Sequence, residues 1–182
     1  MVYYLAFYSG CRQGEILGLT WENVNFENNT IRINQTLISG GKISNKLKTE
    51  KSKRTITLPK FVMDELESHK KLIEEYKEKH GKAYSNLDLV CCTTLSTPLD
   101  PTDVRKKMKK IIDDNGFNKL KFHGLRHTHA SVLLSRGVNI KMISTRLGHA
   151  SVKITLDTYS HILPTMEDQL VNQLEEINKT DH

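Results

Sequence analysis

Residues 123–159 read HGLRHTHASVLLSRGVNIKMISTRLGHASVKITLDTY. No acidic residue lies between Asp114 and Asp157, while Lys119, Lys121, Arg126, Arg136, Lys141, Arg146 and Lys153 all carry positive charge. Two clusters of Arg and His, at 123–129 and 146–149, are followed by a tyrosine at 159. This composition suits a site that holds an anion, with a hydroxyl placed to attack it. His123 and Arg126 stand three apart at the start of a helix, so both can point the same way. A helix N-terminus adds unpaired N–H groups, which favour a phosphate. The plainer alternative is a capping histidine and a surface arginine. His149 after Gly148 is either a C-terminal cap or a second donor to the same anion.

The pattern places several helices around this stretch. Gly124–Ser135 is predicted as a helix with Leu125, His129, Val132 and Leu133 on one stripe, closed by Gly137. Asn139 caps a helix carrying Ile140, Ile143 and Leu147, which Gly148 ends. A short helix follows over about 151–158, and a last one over about 165–178 carries Met166, Leu170, Leu174 and Ile177. Upstream, Val62, Leu66, His69, Ile73 and Tyr76 mark a helix over about 60–79. Asp100 or Pro101 opens another to 114, with Val104, Met108, Ile111 and Ile112 inward.

The N-terminal third is different. Val2–Tyr8 reads as the second half of a helix stopped by Gly10, with the natural chain expected to begin earlier. Cys11–Leu19 is a short helix with Ile16, Leu17 and Leu19 inward, and Arg12 and Glu15 lie one turn apart. Thr30–Gln35 and Arg54–Leu58 alternate as strands, with Ile31, Ile33, Ile56 and Leu58 on the inner faces and a turn at Gly40-Gly41. Leu87–Cys92 is a short apolar piece, a candidate strand. Between the two main strands Lys42, Lys46, Lys48, Lys51, Lys53 and Arg54 face only Glu50. Lysines protect an exposed sheet edge from mispairing. The alternative is a basic hairpin lying on a phosphate backbone, and the lysines by themselves favour the protected edge.

Composition sets bounds on function. The 182 residues carry a net charge of +6, which favours an acidic partner such as nucleic acid. No apolar run is long enough to cross a bilayer. Cys11, Cys91 and Cys92 are an odd set with neither a disulfide framework nor metal spacing, which suits a reducing cytoplasm. His123 and His127 are spaced i, i+4, but no carboxylate lies near to support a metal, so none is assigned. His129 falls on the apolar stripe and reads as a buried, hydrogen-bonded core histidine.

Five blocks in order, RQGEI at 12–16, KTEKSKRTITLP at 48–59, HGLRHTHA at 123–130, LGH at 147–149 and LDTYSH at 156–161, resemble the tyrosine recombinase (phage integrase) family. The likeness is greatest to integrases of phages and conjugative transposons of low-GC bacteria. It covers essentially the whole chain and implies an α+β, mainly helical catalytic domain over 1–182, with a small antiparallel sheet. It also implies that the family's core-binding and arm-binding domains lie outside this chain. Arg12 and Arg126 would hold the scissile phosphate, and Tyr159 would be the nucleophile that forms a 3′-phosphotyrosine. His123 would act as general base and Lys48 would protonate the leaving 5′-oxygen, with Lys51 the competing position. His149 would hydrogen-bond the phosphate, while Glu15 and His129 give structural support. Lys46, Lys51, Lys53, Arg54 and Arg146 are assigned to DNA contacts.

The implied activity is site-specific integration and excision of a mobile element. A phosphodiester exchanged for a phosphotyrosine ester keeps its bond energy, so no cofactor, ATP or metal is implied. The implied partner is a double-stranded DNA attachment site, bound as a homo-tetramer by the full-length protein. This chain alone is expected to be a monomer, in the cytoplasm of a bacterial or phage-infected cell. Two rivals share some of these features: DNA relaxation of the type IB topoisomerase kind, and a DNA-binding module without catalysis.

Overall fold

The computed structural model of the chain describes residues 1–45, 52–160 and 171. Lys46, Lys48, Lys51 and the helix expected over 165–178, apart from Val171, lie outside the described residues. The fold is α+β and mainly helical, as expected. Its elements are α1 (Val2–Ser9), α2 (Gln13–Leu17), β1 (Val24–Asn25), β2 (Thr30–Ile33), β3 (Thr36–Ile38), β4 (Lys42–Ser44) and β5 (Arg54–Thr57). They continue with α3 (Lys60–His80), α4 (Pro101–Asp114), α5 (Phe122–Ser135), α6 (Ile140–Leu147) and α7 (Val152–Tyr159).

The sheet is built differently from one long hairpin. β2 pairs directly with β5, antiparallel, with Ile31 opposite Ile56 and Ile33 opposite Arg54. β1 adds to the other edge of β2. β3 and β4 form a separate two-stranded ribbon. Gly40 and Gly41 both have positive φ between them, the conformation a tight hairpin needs. Leu87–Cys92 is not a regular strand; it makes isolated bridges, Leu89 to Thr20 and Cys92 to Pro98.

Two apolar clusters organise the helices. The larger packs Leu5, Ile16, Leu17, Ile31, Ile33, Ile56, Val62, Leu66, Val104 and Met108 together. The smaller joins Ala130, Leu134, Ile143, Leu147 and Tyr159, so α5, α6 and α7 pack on one another. In α4, Asp100 caps the helix by accepting from the Thr102 and Asp103 N–H groups, and Ile111 is exposed rather than inward. The stripe on α5 is also rotated from expectation. Phe122, Arg126, His129, Ala130 and Leu134 are buried, whereas Val132 is exposed. A buried guanidinium on that face is the first sign that α5 serves more than packing.

Candidate active site

The site begins at Glu15. The Arg12 backbone N–H donates to Glu15 Oε2 at 2.9 Å, and Arg12 Nη1 donates to Oε1 at 2.8 Å. From β5, Arg54 Nη2 donates to Oε2 at 2.9 Å and Nη1 to Oε1 at 3.3 Å. One carboxylate therefore orients two guanidiniums. Burial alone would raise the Glu15 carboxyl; the bonds and charges of Arg54 and Arg12 overcome it and hold its pKa below the ordinary value.

Arg126 is held by helix ends. Its Nη1 donates to the Gly10 carbonyl at 2.6 Å and its Nη2 to the Leu147 carbonyl at 2.8 Å. Gly10 caps α1 in the left-handed conformation, with φ +68°. A β-carbon there would lie 2.6 Å from the His129 ring, so only glycine fits. Leu147 is the last residue of α6, whose end is a Schellman turn. His149 N donates to Ser144 O at 3.1 Å and Gly148 N to Thr145 O at 3.0 Å. The negative ends of two helix dipoles thus face Arg126. Only 3% of Arg126 is exposed, and burial together with the Arg12 charge lowers its pKa to about 10. It remains charged at neutral pH.

The same turn brings Arg12 and Arg126 together. Arg12 Nη2 donates to the Gly148 carbonyl at 3.3 Å, next in sequence to the Leu147 carbonyl that Arg126 uses. Both line a cavity of about 370 Å³ with His123, His127, His149 and Tyr159. Arg12 and Arg54 share the Glu15 carboxylate while Arg126 rests on carbonyls, so the three guanidiniums and one carboxylate leave two positive charges. His149 Nδ1 is 2.8 Å from the Thr155 hydroxyl. Burial, followed by the Arg126, Arg12 and Arg54 charges, lowers its pKa to about 4, so the ring is neutral. His123 is lowered for similar reasons, burial first.

Tyr159 ends α7. Its ring is buried in the smaller cluster, and its hydroxyl lies 3.1 Å from His127 Nδ1. Burial raises the phenol pKa and the Arg126 charge opposes that rise. The cavity thus offers a doubly positive wall, several imidazoles and the Tyr159 phenol. Such a set can bind a phosphoryl group and attack it. Among the described residues, no group of three or more His, Cys, Asp or Glu side chains could hold a metal ion.

Not every expected residue faces the cavity or a DNA surface. Lys53 is exposed. Arg54 is not a surface contact: its side chain is 5% exposed and points at Glu15. Strand alternation explains this, because Arg54 shares a face with Ile56 and Leu58. Arg146 is also turned inward. It donates to His129 Nε2 at 3.1 Å, to Thr57 O at 3.0 Å and to Tyr8 O at 2.9 Å. It ties α6 to β5 and α1 instead of presenting its charge outward. His129 is buried in this network, as expected. The residues missed were His127 and Thr155. His127 had a signal in its i, i+4 spacing from His123, which puts both rings on one face. Thr155 had none.

The phage integrase family model matches residues 1–166. The chain belongs to the phage integrase family. Its curated relatives in the family include a tyrosine recombinase XerC-like protein of Caldanaerobacter subterraneus subsp. tengcongensis. That protein is 35% identical over 190 residues, covering 97% of this chain and 49% of the relative. Among solved structures, XerA recombinase superposes with a TM-score of 0.71 at 23% identity, over 91% of this chain and 55% of that one. A Tn1549 transposon integrase in complex with circular intermediate DNA gives 0.70 at 20% identity, over 85% and 53%. At these identities the likeness is one of fold. The chain spans about half the length of the curated relatives it matches. Among the described residues, no helix is long and apolar enough to cross a membrane.

Proposed function

We propose that this chain is the catalytic domain of a tyrosine recombinase, which cuts and rejoins DNA at attachment sites of a mobile element. The observation that supports this most is the convergence of Arg12 and Arg126 on consecutive carbonyls, in one cavity with Tyr159. A phosphodiester carries one negative charge, and its pentacoordinate transition state carries two. The two uncompensated positive charges of the cavity match the second state better than the first, which is the condition for catalysis. Arg126 is fixed in advance by two carbonyls, so little reorganisation accompanies the reaction.

In this reading the Tyr159 oxygen attacks phosphorus and the 5′-oxygen departs. A 3′-phosphotyrosine remains, and a 5′-hydroxyl from the partner strand later reverses the step. The motif gives proton acceptance to His123 and protonation of the 5′-oxygen to Lys48 or Lys51. His149, neutral and oriented by Thr155, donates to a non-bridging oxygen. The solved Tn1549 transposon integrase structures in complex with DNA support DNA as the substrate. Binding by this chain is expected to weaken steeply with salt, by about 0.9 in the log–log slope per phosphate contacted. Tetramers would form on DNA in the full-length protein, with this chain monomeric in its absence.

A nicked suicide duplex carrying the element's joined ends tests the reading. The expected result is a covalent protein–DNA adduct that survives EDTA and disappears in Tyr159→Phe. Binding without an adduct would leave only a DNA-binding module. Relaxation of a supercoiled plasmid lacking the element's ends would favour the topoisomerase reading.

A further inference from the structure

We propose that Arg54 is a positioning residue: it anchors the end of the lysine-bearing segment before β5 to the C-terminal turn of α6, and so places the general acid. This deepens the strand-exchange reading above and rests on it. Arg54 Nε donates to the Arg146 carbonyl at 2.7 Å. Its Nη1 donates to the Ser52 carbonyl at 2.9 Å and to Glu15 Oε1 at 3.3 Å. Its Nη2 donates to Glu15 Oε2 at 2.9 Å and to Cys11 Sγ at 3.4 Å. A guanidinium has five N–H donors, and these bonds engage all of them. None is left over for a phosphate, so Arg54 acts through its partners.

An α-helix leaves its last four carbonyls without partners inside the helix. At the end of α6 the Gly148 and His149 amides serve Thr145 and Ser144. The next three carbonyls in sequence each take a guanidinium. Arg146 O accepts from Arg54, Leu147 O from Arg126 and Gly148 O from Arg12. Arg54 therefore sits beside the two phosphate-binding guanidiniums on one turn. The Ser52 carbonyl it also holds belongs to a buried residue that lines the cavity with Arg12, Arg126 and Tyr159. Ser52 follows Lys51 directly and Lys48 by four residues in the chain. One side chain thus joins the end of that segment to the turn that seats Arg12 and Arg126. A lysine would not do the same, because an ammonium presents its donors from one point and the planar fork reaches several elements at once.

The step that depends on this anchor is departure of the 5′-oxygen. As Tyr159 bonds to phosphorus, the bond from phosphorus to the 5′-oxygen breaks and its electron pair stays on that oxygen. The oxygen then takes a proton from the ammonium of Lys48 or Lys51. An alkoxide needs that proton and a thiolate does not, since a thiol ionises near about pH 8.5 and water only near about 15.7. A duplex with sulfur in place of the scissile 5′-oxygen therefore removes the need for the acid. It leaves the demands on Arg12, Arg126 and Tyr159 in place.

Two measurements on the 182-residue chain test this. First, the Ser52 carbonyl ¹³C signal of the free protein reports the anchor. It should move in Arg54→Lys, while the Thr57 carbonyl signal, held by Arg146, stays in place. An unmoved Ser52 signal would overturn the anchor without any reference to DNA. Second, single-turnover adduct formation is compared on suicide duplexes with oxygen or sulfur at the scissile 5′ position. Arg54→Lys is expected to slow the oxygen duplex by about 10–100-fold, a part of what general-acid catalysis supplies. On the sulfur duplex that loss should shrink at least about tenfold, as it should for whichever of Lys48→Ala and Lys51→Ala removes the acid. A residue that only supports the fold or the phosphate site slows both duplexes alike. An equal loss on the two, or an oxygen-duplex rate within about threefold of wild type, refutes the proposal. Sulfur rescue of Arg54→Lys without rescue of either lysine variant does so too. Should Arg54→Lys not fold, Arg54→Gln combined with Glu15→Gln, which removes both buried charges, is compared with Glu15→Gln alone in the same assays. If the wild-type chain forms no adduct with either duplex, the strand-exchange reading fails and the catalytic role with it, while the Ser52 signal still decides the anchor.

Discussion

Replacing Glu15 by Gln removes the single negative charge that Arg12 and Arg54 share, at almost constant volume. Glu15 is 3% exposed and the Arg54 side chain 5% exposed, so neither can recover its partner from water. Breaking one side of such a buried pair costs about 3–5 kcal/mol, because an uncompensated charge stays behind. The Arg12 arm adds little: its side chain is 38% exposed, and a screened pair is worth about 1 kcal/mol or less. For a domain of this size each kcal/mol lowers Tm by roughly 2–4 °C, so a fall of about 6–20 °C is expected. Urea denaturation at pH 7 measures the change directly, as a lower midpoint at unchanged slope. The sign with pH follows from the depressed carboxyl. Its contribution is complete above the ordinary value of 4.5 and is lost as pH falls through the lower folded pKa. The gap between wild type and Glu15→Gln should therefore be flat from pH 5 to 8, within about 1 kcal/mol, and close only in stronger acid. A loss below about 1 kcal/mol at pH 7 would refute the view that this ion pair holds the two guanidiniums.

Three further outcomes follow from the same geometry. Gly148→Ala should destabilise by about 1–2 kcal/mol or more in thermal unfolding, since φ is +67° and the new β-carbon would lie 2.8 Å from Arg54 Nη1. It should also lower adduct formation, because the Gly148 carbonyl aligns Arg12. His129 is held near pKa 4, first by burial and then by the Arg146 charge. Its neutral form stabilises the fold above the ordinary value of 6.5, and this is lost as pH falls towards 4. The loss is on the order of 3 kcal/mol, and denaturation curves of His129→Asn should lack that share of the pH slope. Thr155→Val should cost about 1 kcal/mol in stability through the lost bond to His149, and slow adduct formation about tenfold by freeing the ring.

Much of the fold was legible because its signals are local. The apolar spacing over Val62, Leu66 and Ile73 marked α3, and those side chains are buried. Asp100 and Asn139 cap their helices as their side-chain oxygens suggest, and Gly10 and Gly148 close theirs with positive φ. The ordered motifs were sufficient for the family, because their residue types and spacing reflect one chemistry. The errors were also instructive. Arg54 was read by its charge when its strand position, on the Ile56 face, already turned it inward. Val132 was read as core by its type, although α5 turns its opposite side to α1 and α6.

Residue type and spacing, by themselves, determined most of the described helices, the acid-free basic stretch that runs up to Asp157 and the membership that Arg12, His123, Arg126, His149 and Tyr159 announce. Tertiary structure alone decided how those side chains meet. Glu15 and Arg54 are 39 residues apart, Arg126 and Gly10 are 116 apart, and His127 and Tyr159 are 32 apart. Helical and strand periodicity relate residues only within one element. Contacts between elements depend on how two apolar clusters pack, and that packing sets which imidazole touches the phenol and which guanidinium stays inside.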